Sequence, residues 1–420
     1  MSWYEIKLGD AIHVKHGFAF KGQNFSDSGT YVVLTPGNFN EKGGFRSRPG
    51  KDRFYTGDIP EDYILEEDDV IVAMTEQGPG LLGSSALIRE GNKYLHNQRL
   101  GLVQVFDESV INKHFLYYLF NTKPVRGQIS GSATGTKVRH TAPERIYRIK
   151  VTVPTSVVEQ NKIASILSAY DDLIENNRRR IQLLEQAARL LYKEWFVHLR
   201  FPGHEHVKIK NGLPKGWEKK PLSEITDITM GQSPKSIYYN EDGSGLPFHQ
   251  GVTNFGARFP LHQTYCTVHN RIAEPGDILF SVRAPVGRIN LTRDRIVIGR
   301  GISAIRSNTG QQNFLFYALK NHFFKEDMMG GGAIFAAITK KDLHGVELLQ
   351  PPDSVAQLFT KKVRPIDSQI ENLQHTIEAL TKARDLLLPR LMNGKLKSGV
   401  LANPNHPVPT PSCSNERRTF

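Results

Sequence analysis

The chain has 420 residues, 39% hydrophobic and 23% charged, which is ordinary for folded globular domains and long enough for roughly two to three of them. No apolar run reaches the length of about 18 residues that a membrane span needs, and MSWYEIKLGDAIHVKHG at the start lacks the apolar core of a secretion signal, so a cytoplasmic protein without a membrane anchor is expected. With only Cys266 and Cys413, neither a disulfide framework nor a cysteine zinc site is expected. Lys and Arg exceed Asp and Glu by 54 to 42, and the surplus is clustered: between Asn176 and Lys220 stand 11 basic residues and 4 acidic ones. Such clustering suits a polyanionic partner, although a solvated helix face would carry it equally well.

Taken in order, the predicted elements occur twice. WYEIKLGDAIHVKHG from Trp3 is answered by WEKKPLSEITDITMG from Trp217, with Leu8 and Leu222, and Gly17 and Gly231, at the same offset of 214. VVLTPGNFN near residue 35 is followed in the second half by PFHQGVTNF near 250, EEDDVIVAMT (66–75) by AEPGDILFSVR (273–283), and HNQRLGLVQV (96–105) by VIGRGISAIR (297–306). The last of these matches sets Arg99 opposite Arg300. FLYYLF at 115 matches FLFYAL at 314; a Gly/Ala/Thr-rich loop follows in each half, GSATGTKVRH or GGGAIFAAIT, and then VTVPTSVVEQ or LLQPPDSVAQ. Each copy reads as short strands with Gly, Asn and Asp turns, closed by one long helix.

The first helix carries apolar positions at alternating steps of four and three: Ile163, Leu167, Tyr170, Ile174, Asn177, Ile181, Leu184, Ala188, Leu191 and Trp195. Adding 196 gives Phe359, Val363, Ile366, Ile370, Leu373, Ile377, Leu380, Arg384, Leu387 and Leu391. A period of 3.5 held this long predicts a coiled-coil seam. Two copies of one unit close most simply about a pseudo-twofold axis, which makes the helices antiparallel and turns the rod into a spacer. Asn177 reads as a register-setting polar residue or as a half-exposed Asn. Arg384 is expected to lay its stem on apolar surface and send its charge to water, and Pro365 to kink the second helix or mark its start.

NKIASILSAYDDLIENNRRRIQLLEQAARLLYKEWF, the opening WYEIKLGDAIHVKHGFAFKG and IDSQIENLQHTIEALTKARDLLLPRLMNGKL together resemble the specificity subunit of type I restriction-modification systems, over residues 3 to 396. The departures are Pro365, Arg384 and a Pro-rich tail from Lys397 to Phe420. The resemblance implies an α+β chain with two target recognition domains, at 1–155 and 216–352. They are separated by an antiparallel coiled coil of two long helices, at 156–200 and 353–394, with a linker at 201–215 and a disordered tail at 395–420. It also implies double-stranded DNA, two methyltransferase subunits and restriction/translocase subunits as partners. No cofactor is expected on this chain; S-adenosylmethionine, ATP and Mg are expected in the partner subunits.

The residues by themselves favour a non-catalytic reading. Gln350-Pro351-Pro352-Asp353 is wrong at both ends for the Asn/Asp-Pro-Pro-aromatic motif of an adenine methyltransferase, and GSATGTK has too short a glycine spacing for a phosphate loop. His198, His204, Glu205 and His206 are close in sequence but have no further ligand at a useful spacing, so a solvated linker is expected. Base reading needs donors and acceptors on turns with basic residues around them. Asn38, Thr75, Gln77, Arg99, Lys137 and Arg139 provide them in the first half, and Gln250, Thr253, Arg283, Arg288 and Arg300 in the second. Polar turn residues also cap their own backbone, which is the competing role for each. A DNA-specificity and scaffold subunit is therefore weighed against a self-contained restriction/methylation enzyme and a coiled-coil adaptor without DNA binding. The missing catalytic motifs oppose the second, and the basic belt opposes the third.

Overall fold

The computed structural model describes residues 2–48, 50–78, 80–323 and 337–397. Cys413, the tail beyond Lys397 and all but the last three residues of GGGAIFAAIT lie outside the described residues. The chain divides into two compact units, one formed by Met1–Asn176 and the segment from Thr376, the other by Asn177–His375. No described helix is long and apolar enough to cross a membrane.

In the first unit Trp3–Lys7 pairs antiparallel with Lys150–Pro154, so the chain start lies beside the strand that leads into the long helix. A four-stranded antiparallel sheet follows, in the order Ile12–His16, Leu100–Val105, Val70–Ala73, Ser85–Leu87. Val70–Ala73 is buried at all four positions because both faces are covered. Val70 and Val72 face the helix Lys113–Phe120, while Ile71 and Ala73 face a second core with Leu34 and Phe39, as the two-residue period of a strand requires. The second core is backed by a five-stranded sheet ordered Phe25–Ser26, Phe54–Tyr55, Tyr31–Val33, Tyr94–Leu95, Ile64–Leu65.

The second unit repeats this topology strand for strand. Glu218–Pro221 pairs with Glu347–Gln350. The four-stranded sheet runs Thr226–Met230, Ile302–Ser307, Ile278–Ser281, Ile289–Leu291, and the five-stranded one Tyr239–Asn240, Tyr265–Cys266, Leu246–His249, Ile296–Ile298, Ile272–Ala273. The helix Gln312–Phe323 takes the place of Lys113–Phe120, and FLFYAL, like FLYYLF, is wholly buried. The α+β class and the internal repeat are thus present in the structure.

The long helices span Val157–Tyr192, continued by a π-turn at Lys193–Val197, and Asp353–Met392. In the first unit Ile163, Ala164 and Leu167 share a core with Leu391 and Met392; in the second, Ala188, Tyr192 and Trp195 share one with Ala356, Phe359 and Val363. Inside each unit, then, the start of one helix meets the end of the other, which is the antiparallel order. Ile163, Leu167, Ile174, Asn177, Ile181, Ala188, Trp195, Phe359, Val363, Ile370, Leu373, Ile377 and Leu391 are buried, and Tyr170, Leu184, Leu191, Ile366, Leu380 and Leu387 half-buried.

Two expectations are corrected. Pro365 does not mark the start of the second helix, which runs through it from Asp353: the ring faces solvent, and the turns before it are anchored by buried Ala356, Phe359 and Val363. The charge of Arg384 does not go to water but binds the Asp171 carboxylate at 2.6 Å and Asp385 at 2.7 Å, because the half-buried carboxylate of the neighbouring helix is a better partner in a low-dielectric setting.

Candidate nucleic-acid interface

The loops that carry the candidate residues spring from the ends of the four-stranded sheets. Ala73 pairs with Leu100 and Ser281 with Ile302, so two residues further on Thr75 and Arg283 occupy equivalent places; Thr75 pairs next with His140, and Arg283 with Ala337. At the other side of the sheet the Gly17 N–H donates to Leu100 O and the Gly231 N–H to Ile302 O. A Cβ on Gly17 would lie 2.0 Å from Asn97 O, and one on Gly231 2.2 Å from Gly299 O, so both positions require glycine for close backbone approach. This pairing makes Gln98, not Arg99, the equivalent of Arg300. The sequence match followed the shared arginine, whereas the ladder fixes the register, and a slip of one residue sends a side chain to the other face.

The geometry sorts the candidate readers. Arg283, Arg288 and Arg300 are exposed, and their guanidinium groups have no hydrogen bond or ion pair among the described residues; the same holds for the side-chain heads of Arg99, Gln77 and Lys137. Thr253 is exposed as well. Gln250 is exposed and its Oε1 accepts from Ser233 Oγ at 2.7 Å, which orients the amide and leaves its N–H groups pointing away from that contact. The Ser233 Oγ also accepts the Arg300 N–H at 3.1 Å, so Gln250 and Arg300 are held side by side.

Other candidates are engaged inside the protein. Asn38 is 5% exposed, and its Oδ1 accepts from the Thr35 N–H and hydroxyl in a capping box. Thr75 is buried against His140 Nδ1 at 3.1 Å. Arg139 donates to Glu76 Oε1 at 3.2 Å and to Ser130 O.

Glu76 is the organising group of the first loop, a role that its sequence neighbourhood does not signal. Its side chain is 2% exposed, and its Oε2 accepts the N–H groups of Gly80, Leu81 and Leu82 at 3.1, 2.9 and 2.8 Å. Successive amides wrapped round one carboxylate form a rigid nest. The second loop uses a different device: Ser281 Oγ donates to Pro285 O at 2.7 Å and accepts the Arg288 N–H at 2.8 Å, closing a hairpin from which Arg283 and Arg288 emerge.

Each unit buries one neutral histidine beneath its loops. Burial pushes His96 down to about 4, outweighing its bond to Leu100 O, and burial together with neighbouring His262 does the same to His249. His249 Nε2 meets His262 Nδ1 at 2.9 Å, and His262 Nε2 meets Asp294 at 3.0 Å.

Two diverged copies of one β-rich module carry exposed polar and basic side chains on their loops, Gln77, Arg99 and Lys137 in the first and Gln250, Arg283, Arg288 and Arg300 in the second, which is the surface of a protein with two recognition modules. The type I restriction modification DNA specificity domain matches the chain twice, over residues 2–186 and 214–382. A chain of Methanocaldococcus jannaschii described as the type I restriction enzyme MjaX specificity subunit is 32% identical over 357 residues, covering 83% of this chain and 80% of that one. The MjaIX specificity subunit of the same organism is 26% identical over 343 residues, covering 78% and 77%. The crystal structure of the type I restriction-modification S subunit of M. genitalium has the same fold, with a TM-score of 0.58 at 18% identity over 93% of this chain and 96% of that one. The chain belongs to the type I restriction modification DNA specificity family. It is a DNA sequence-specificity subunit.

Proposed function

We propose that the two units read the two unlike halves of one bipartite, asymmetric DNA target, with the paired long helices acting as the spacer between them. The observation that supports this reading is the pair of equivalent loops with different chemistry: Arg283 stands exposed where the first unit buries Thr75, and Arg300 stands exposed where the first unit exposes Gln98. Arginine suits guanine O6 and N7, and glutamine suits adenine N6 and N7. The chain itself performs no bond chemistry. It positions two methyltransferase subunits and the restriction/translocase subunits, which bind S-adenosylmethionine, ATP and Mg.

Mapping modified bases in the host genome tests the reading, the expected outcome being two short, unlike motifs separated by unread bases. A single continuous motif overturns it. Arg283→Ala assigns the halves: discrimination should fall by about 1–3 kcal/mol at one position of one half-site, whereas loss of a phosphate contact would weaken all sequences alike.

A further inference from the structure

We propose that Arg258 is a positioning residue that locks the second β-rich module onto both long helices and thereby holds the length of the unread spacer to one value, an inference that rests on the bipartite reading above. Arg258 lies just beyond the loop that carries Gln250 and Thr253, between Phe255 and Pro260, which bridge one another, and its carbonyl accepts the Leu291 N–H at 2.8 Å. Its side chain is 3% exposed. One arm of the fork donates to Glu185 of the first long helix at 3.0 Å, the other to Asp367 of the second. The plane stacks 4.7 Å from the centre of the Phe316 ring.

The partners stay satisfied by others. Asp367 also accepts from the Tyr317 hydroxyl and the Asn313 amide, both at 2.6 Å, and Glu185 accepts from Lys320 at 2.7 Å. Burial pushes the Glu185 carboxyl up, but Lys320 and Arg258 outweigh it and hold its pKa below the ordinary range.

The first unit shows what is particular about this arrangement. Asp171 stands 196 residues before Asp367 and likewise accepts from a tyrosine hydroxyl, that of Tyr118, at 2.8 Å. Its arginine, however, is Arg384 from a long helix. The position matching Arg384 in the second unit is Ala188, which is fully buried and has no head group. The second aspartate therefore takes its arginine from the recognition module, and the reading loop is wired to the rod directly. Each base pair added to a DNA spacer moves the second half-site by about 3.4 Å and turns it by about 35°. A planar fork held by two carboxylates and an aromatic face cannot follow such a displacement without breaking.

The test uses the full chain with its methyltransferase partner and duplexes whose spacers are native, one base pair longer or one shorter. The wild type should lose about a hundredfold in methylation rate on the altered spacers. Arg258→Ala should cut that ratio by about tenfold, with Arg258→Lys in between, since lysine keeps the charge but loses the fork. Equal slowing on all three duplexes, or an unchanged ratio in both variants, overturns the proposal and leaves Arg258 a packing residue. Altered base preference at the second half-site with an unchanged ratio overturns it too. Indifference of the wild type to spacer length would instead refute the bipartite reading.

Discussion

Replacing Glu76 by alanine removes a carboxylate that closes four hydrogen bonds at once, three from the amides of Gly80, Leu81 and Leu82 and one from Arg139. An orphaned buried donor costs about 1–3 kcal/mol, and water can replace the partner only where it has access. The Leu82 N–H is buried while those of Gly80 and Leu81 are partly accessible, so one full penalty and two fractional ones are expected. Arg139 keeps Ser130 O and Arg126 still braces the loop through Leu82 O at 2.8 Å, which limits the collapse. The sum is a loss of about 2–4 kcal/mol in the first unit. Glu76→Gln keeps one acceptor oxygen for the amides and loses only the ion pair, so it should cost about half as much. Urea unfolding of the whole chain measures this, with the two units free to give separate transitions. In methylation assays the first half-site should lose discrimination and the second keep it. An unchanged unfolding profile for Glu76→Ala, or equal loss at both half-sites, would refute the role of the nest.

Gly231→Ala should damage only second-half-site reading, by about 1–3 kcal/mol or more, because the new Cβ would meet backbone at Gly299 and Ile302 that cannot yield; Gly17→Ala is the mirror experiment for the first half, and methylation of half-site variants reads both. His96 and His249 titrate near 4 when folded and near 6.5 when unfolded. As pH falls from 7 to 5 the unfolded chain takes up protons that the folded chain refuses, so each histidine should remove about 2 kcal/mol of stability, and urea midpoints across this range should flatten in His249→Leu. Phe359, fully buried and within 5.0 Å of the Phe196 ring, should cost about 3–5 kcal/mol on change to alanine, seen as an earlier unfolding transition of the second unit.

The sequence by itself determined the duplication and the seam. A repeat leaves matched residues at fixed offsets, Gly17 and Gly231 among them, and a coiled coil leaves a period of 3.5, both of which are local or periodic constraints that each residue carries individually. The tertiary structure decided what depends on partners distant in the chain. The one-residue register that makes Gln98 the counterpart of Arg300 is set by strand pairing with residues around 17 and 231, not by residue identity. Whether a polar turn residue faces solvent, like Arg283, or is used up internally, like Asn38, Thr75 and Arg139, depends on which acceptors the fold brings within 3 Å or so. Tyr118 with Asp171 and Tyr317 with Asp367 do recur in the sequence at nearly one offset. That one aspartate is completed by Arg384 and the other by Arg258 follows only from packing, since a half-buried carboxylate takes whichever cation the surrounding elements place beside it.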